Sequence, residues 1–262
     1  MFLAYVAHQT LGARSLAAIA DSPSLARREL EEALALGRQF GFPVRVIHTR
    51  EFENPDYLAN PVNRCYFCKT ELFTELVPLA RAEGFAVIVY GENASDVGDF
   101  RPGARAAAEF KVRAPLKEAG LTKAEIRALS ARFGLPTADK PQMACLSSRV
   151  PYGQAVSPAK LGMIEQAENV LHDLGFYDIR VRHHELKSEL PRALARIEVG
   201  VAELPKFLGN GTAARVAEAL KKIGYAHVTV DLQGYRRGSL NEVSGPTPTA
   251  AGAPAPEAGA TF

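Results

Sequence analysis

The sequence predicts an α/β protein: a parallel sheet flanked by helices, then a smaller α/β unit toward the C-terminus. Three observations carry that expectation. Over the first half, the short apolar runs SLAAIA, VRVIH and FAVIVY alternate with segments of helical period. Beyond residue 157 the pattern becomes helix, strand, strand, helix, strand. Apolar residues make up 47% of the 262 and charged residues 23%, an ordinary balance for a chain with a packed core.

Met1–Gly12 reads as a mostly apolar helix stopped by its glycine. Ser15–Ala20 is a buried strand closed by the turn signal Asp21-Ser22-Pro23. Ser24–Phe40 has helical period, with Leu25, Leu30, Leu34 and Phe40 on related faces, and Gly41 ends it. Val44–His48 is a second strand, and a polar loop with Pro55 and Pro61 leads to Cys65-Tyr66-Phe67-Cys68 and a helix reaching about Glu83. Phe85–Tyr90 is expected to be a third strand. Thr122–Phe133 is a helix with Glu125 at the capping-box spacing from Thr122. Residues 139–153 look irregular and carry Cys145, Arg149 and Tyr152. The second unit follows as a helix over 158–174, strands at Ile179–His183 and Ala195–Val199, a helix over 212–223 and a strand over 227–232. The last stretch, 244–262, is Ala, Pro, Gly and Thr with one charge, and is expected to be a disordered tail.

The bulk properties narrow the function. A net charge of +2 against 31 basic residues carries no electrostatic footprint for nucleic acid or a membrane surface. No run of 18 apolar residues predicts a membrane span, and the N-terminus lacks the features of a signal peptide. Three cysteines, an odd number, argue against a disulfide framework and for a reducing cytoplasm.

Four groups of residues carry chemistry. Cys65 and Cys68 have C-x-x-C spacing, with Cys145 as a distant third. Two such thiolates can grip one metal centre, and three leave a four-iron cluster with one open iron. A zinc site completed by a histidine such as His48, or plain burial, stays open at this point. The loop from Gly91 to Gly103 follows a strand and is rich in Gly and carboxylates, suited to a ligand's backbone contacts or a divalent cation. An acidic turn without a ligand is the plainer account of it. In ACLSSRVPYG, Cys145 stands near two hydroxyls and the Arg149 guanidinium, a route to a more acidic thiol or a phosphate contact. Arg180 and Arg182 alternate on a strand and share a face, with Glu168 and Glu198 on neighbouring elements. That face suits phosphate or carboxylate, or else is a solvated surface with ion pairs.

Taken in order, NRCYFCK, YGENASDVGDFRPG, MACLSSRVPYG, RVRHH, ARIEV and VTVDLQGYRRG resemble the LarE family, ATP-dependent sulfur transferases of nickel-pincer cofactor biosynthesis. The resemblance runs from about residue 1 to 240. It implies a PP-loop ATP pyrophosphatase fold (adenine nucleotide alpha-hydrolase-like) over 1–145 and a substrate-binding α/β domain over 146–243. It implies adenylation of a pyridinium dicarboxylate mononucleotide with ATP and Mg2+, then replacement of the activated oxygen by sulfur. Cys145 aligns with the reactive cysteine of members that surrender their own sulfur. In members with three cysteines, the trio, here Cys65, Cys68 and Cys145, holds a [4Fe–4S] cluster whose open iron carries the sulfide delivered, and this route is the one expected here. Ala20, Asp21, Ser22, Gly91, Asp99 and Arg101 are expected on the ATP side, and Arg149, Glu168, Arg180, Arg182 and Glu198 on the substrate side. The resemblance also implies a homo-oligomer and partners among the other nickel-pincer biosynthesis proteins.

Two departures bear on these expectations. HHELKSELPRAL is longer than the family pattern, which loosens the assignment of Glu198. The family's first strand and S-G-G-x-D-S phosphate loop would precede FLAYVAHQTLG, which here begins at Phe2. The chain as written is therefore expected to fold poorly and adenylate weakly, with Met1 an internal residue of a longer protein. Two other functions stay in view. A tRNA thiolation enzyme of the same superfamily would need an RNA footprint. A non-catalytic nucleotide-binding relative would bind AMP without releasing pyrophosphate.

Overall fold

The computed structural model describes residues 1–98, 101–141, 143–186 and 192–236. The expected tail lies outside these residues. The elements run α1 (Phe2–Leu11), β1 (Ala17–Asp21), α2 (Arg27–Phe40), β2 (Val44–His48), α3 (Pro55–Leu58), α4 (Arg64–Ala82), α5 (Pro102–Glu109), α6 (Pro115–Glu118) and α7 (Lys123–Arg132). They continue as α8 (Pro158–Asp173), β3 (Ile179–Leu186), β4 (Arg192–Val199), α9 (Thr212–Ile223) and β5 (His227–Val230). No helix among the described residues is long and apolar enough to cross a membrane.

β1 and β2 pair in parallel, from Ala17 opposite Val44 to Asp21 opposite His48, and α2 makes the crossover between them. Gly37 lets that helix lie close on the sheet: a Cβ there would meet Val44 Cγ2 at 2.5 Å. Gly41 ends α2 in the left-handed region at φ 73°, returning its N–H to the Gly37 carbonyl. α1 covers the same half of the molecule. Its Phe2 is buried with Leu116 and Leu135, and Tyr5 packs against Phe40 and Phe133.

The expected third strand does not form. Within Phe85–Tyr90 the ladder is reduced to one parallel bridge, Val89 to Arg113. Tyr90 N–H donates to the Arg113 carbonyl and Arg113 N–H to that of Ile88, both at 3.0 Å. An apolar run becomes a strand only where neighbours pair with it, and among the described residues this run has a neighbour on one side alone. Val87 and Val89 accordingly stay 47% and 38% exposed. Between Ala17–Ile19 and the Gly91–Asp96 turn lies a cleft of ≈ 610 Å³, walled also by Phe2 and Leu36. The parallel sheet is thus two strands wide among the described residues.

The second sheet has order β3-β4-β5, the first pair antiparallel and the second parallel. Val181, Ala195, Ile197 and Val199 are fully buried against Ala167 and Leu171 of α8 and Val216 and Leu220 of α9. A separate apolar cluster joins Tyr57 of α3, Leu146 and Val150 to Leu161 and Ile164 of α8. The candidate site residues lie beside this cluster, with Cys68 packed against it.

Candidate active site

Cys65 and Cys68 lie in the first turn of α4, three residues apart and so on neighbouring positions of one helix face. Cys145 precedes the 3-10 turn Leu146–Arg149. That turn is pinned from four directions. Leu146 N–H donates to the Ser24 carbonyl at 2.8 Å. The hydroxyls of Ser24, Tyr57 and Ser147 form a triangle, with contacts of 2.5, 2.7 and 3.0 Å. Asn60, fully buried at φ 54°, donates to the carbonyls of Val150, Pro151 and Gln154. Arg64, 3% exposed, donates to Asn60 Oδ1 and the Ser147 carbonyl.

Arg64 also carries its Nη2 to 4.0 Å from the Cys145 sulfur. The guanidinium that reaches this sulfur is therefore Arg64, where sequence reasoning looked to Arg149. Arg149 instead grips the backbone, donating to the carbonyls of Ala144 and Cys145 at 2.6 and 3.0 Å. Its other face makes a bidentate pair with Glu168, both contacts 2.9 Å, and Glu168 also accepts from Val181 N–H. Arg182 repeats the device from β3, pairing with Glu198 and donating to the Ser148 carbonyl at 2.9 Å. Arg180 lies over the Tyr235 ring, 4.6 Å from its centroid. Arg180 and Arg182 are 2% and 5% exposed, so the alternative of a solvated strand face does not hold.

The thiols feel one another and their surroundings. Burial pushes the Cys68 thiol well up, and the charges of Cys145 and Glu51 add to that. Burial and Cys145 also raise Cys65, against the pull of Arg64 and Lys69. Among the described residues no group of three or more His, Cys, Asp or Glu is arranged to hold a metal ion. His48 does not join the cysteines; its side chain is 82% exposed and faces Asp21.

A cavity of ≈ 340 Å³ opens beside this centre, lined by Ala20, Ser22, Glu51, Cys68, Cys145 and, across from them, α8 at Glu165–His172. Ala20 and Ser22 thus meet Cys68, Cys145, Arg149 and Glu168 in one space. Asp21 stands aside, paired with Arg27 at 2.6 Å. Gly91 and Arg101 line the other cleft, beside β1. There the carboxylates are engaged: Asp96 with Arg101 and Asn93, Glu92 with Lys117 and Tyr90. Asp99 lies outside the described residues.

Sequence reasoning missed Arg64, Asn60, Tyr57 and Glu51. Arg64 was in view within NRCYFCK, next to the cysteine that drew the eye. Glu51 follows the end of β2, where the rule that ligands sit beyond strand C-termini would have picked it out.

No family model matches the sequence. It is 41% identical to an uncharacterized protein of Synechocystis sp., over 92% of this chain and 87% of that one. It is 31% identical to the pyridinium-3,5-bisthiocarboxylic acid mononucleotide synthase of Lactiplantibacillus plantarum, over 86% of this chain and 79% of that one. An uncharacterized protein of Methanocaldococcus jannaschii is 25% identical, over 82% and 79% of the two chains.

Proposed function

The chain belongs to the LarE family of sulfur transferases, and from that premise we propose that it is an ATP-dependent enzyme converting a carboxylate of a pyridinium dicarboxylate mononucleotide to a thiocarboxylate. The observation that carries the reading is the gathering of Cys145 and Cys68 in one cavity with Ser22, Arg149 and Glu168. These residues come from four separate stretches of chain.

The chemistry runs in two steps. A carboxylate oxygen of the substrate attacks the α-phosphorus of ATP and pyrophosphate leaves, with Mg2+ balancing the phosphate charge. A sulfur nucleophile then adds to the acyl carbon, and AMP departs with the former carboxylate oxygen. On this reading Ala20, Asp21, Ser22, Gly91, Asp99 and Arg101 belong to the nucleotide side of a PP-loop type fold. Arg149, Arg182, Glu168 and Glu198 keep the Cys145 turn at a constant position, since both guanidiniums hold its carbonyls. Arg180, in the same buried layer, is assigned to the substrate's phosphate.

Three thiols from one helix turn and one loop are the donor chemistry of an iron–sulfur cluster. A cluster is larger than a single ion, so its ligands stand farther apart than the close-set group one ion needs. Cys65, Cys68 and Cys145 would hold it, and when bound it supplies inorganic sulfur and one iron without a protein ligand. Arg64 then keeps a fixed positive charge beside the anionic ligand set. The family premise further supports a cytoplasmic homo-oligomer acting with the other proteins of nickel-pincer biosynthesis.

The test is to supply the mononucleotide, ATP, Mg2+ and a sulfide source, and to follow pyrophosphate and product mass together. The native chain is expected to release pyrophosphate, though weakly, and to exchange oxygen for sulfur. Cys145→Ala should abolish the exchange. A native chain that releases pyrophosphate without exchange would be a plain ATP pyrophosphatase. Transfer of labelled sulfur to tRNA would redirect the reading to a nucleic-acid substrate.

A further inference from the structure

Resting on the reading that this chain binds an adenine nucleotide, we propose that Glu51 receives the ribose hydroxyls. Glu51 is 2% exposed and opens the 3-10 turn that follows β2. Its two oxygens have different circumstances. Ser22 Oγ donates to Oε1 at 2.5 Å, and Ser22 is in turn fixed by the Ser24 N–H donating to its Oγ at 3.2 Å. Oε2 is buried and accepts from none of the described residues. A carboxylate oxygen withdrawn from water without a donor is strongly disfavoured, so this one waits for a donor that the described residues do not supply.

The chemical class of that donor follows from the surroundings. Glu51 lines the ≈ 340 Å³ cavity shared with Ser22, Ser24, Cys68 and Cys145. A metal ion is the weaker candidate, because no group of three potential ligands stands together there among the described residues. A vicinal diol suits the site better. It brings two O–H donors to one carboxylate, while Ser22 Oγ, its own hydrogen given to Oε1, is alongside as a further acceptor. The position agrees with the geometry. β1, α2 and β2 form a parallel β-α-β unit, and Ser22 and Glu51 stand just beyond the C-terminal ends of its two strands. In open parallel sheets ligands bind beyond the C-terminal strand ends, and in the Rossmann kind of β-α-β unit a carboxylate after the second strand reads ribose hydroxyls. A ribose seated on Glu51 would hold the rest of the nucleotide in the cavity that contains Cys145.

The experiment compares AMP with 2′,3′-dideoxy-AMP by calorimetry on the full chain. The native protein is expected to bind AMP roughly tenfold more tightly than the dideoxy analogue, the scale of a hydrogen bond to a charged group. Glu51→Gln preserves an acceptor for Ser22 and is expected to lose most of that discrimination, while its affinity for the dideoxy analogue stays close to native. Equal affinity of the native chain for both ligands would overturn the assignment of ribose to this site and leave the nucleotide reading standing. Undiminished discrimination by Glu51→Gln would overturn the role of Glu51. A native chain that binds neither ligand would overturn the nucleotide reading and this inference with it.

Discussion

Glu168 holds three donors at once: two from the Arg149 guanidinium and the N–H of Val181. Arg149 is 1% exposed, so it depends on that carboxylate for its counter-charge. Removing one partner of a buried pair leaves the other charged and dry, a loss of about 3–5 kcal/mol. Glu168→Ala is therefore expected to lower the urea midpoint by that amount of stability at an unchanged denaturant slope. A shift under about 1 kcal/mol would mean that water reaches the guanidinium as it does in exposed pairs. The same substitution should also free the Cys145 carbonyl, because Arg149 holds it only while Glu168 holds Arg149.

At the scale of elements, β1 is the informative strand. Ala17 N–H donates to the Pro43 carbonyl, and the Asp21 carbonyl accepts from Thr49 N–H. Backbone groups alternate sides along a strand, so Ala17, Ile19 and Asp21 address β2 while Ala18 and Ala20 address the cleft. Amide hydrogen exchange should follow the alternation, with Ala18 and Ala20 faster than Ile19 by roughly tenfold or more. Uniform protection would require a partner along the cleft edge. The same logic explains what could be read in advance. β2 was legible to the residue, and α1, α2, α4, α7 and α8 to within a few residues, because periodicity, caps and glycine stops are local signals. The Phe85–Tyr90 run looked equally like a strand, but pairing is supplied from elsewhere in the chain and leaves no mark within the run. The cysteines were legible by spacing. Arg64 was not, because which guanidinium turns toward a sulfur depends on the loop that Asn60 and Ser147 hold in place, whereas Glu51 could be read from its place just after β2.

Across the whole molecule, α2 approaches α8 beside the apolar cluster, and the side chains that join these two helices are charged. Glu165 of α8 accepts from the Arg27 N–H at the start of α2, whose N-cap Ala26 offers no side-chain acceptor of its own. Arg28 of α2 pairs with Asp173 of α8, with side chains 48% and 67% exposed. The mouth of the Cys145 cavity runs along this seam, with Leu25–Glu29 on one side and Glu165–His172 on the other. Exposed charges at such a seam are weakened by electrolyte, since the screening length shrinks to about 3 Å in molar salt. Ionic strength thus becomes a dial on how wide the entrance stands. In a chain with Cys65→Ser and Cys68→Ser, maleimide should label Cys145 faster in molar than in dilute salt. A constant rate would mean that apolar packing of Ala26 against the Val156, Leu161 and Ile164 cluster keeps the entrance shut by itself. Where labelling rises with salt, extracts and purification buffers of different salinity present the same sulfur behind doors of different width.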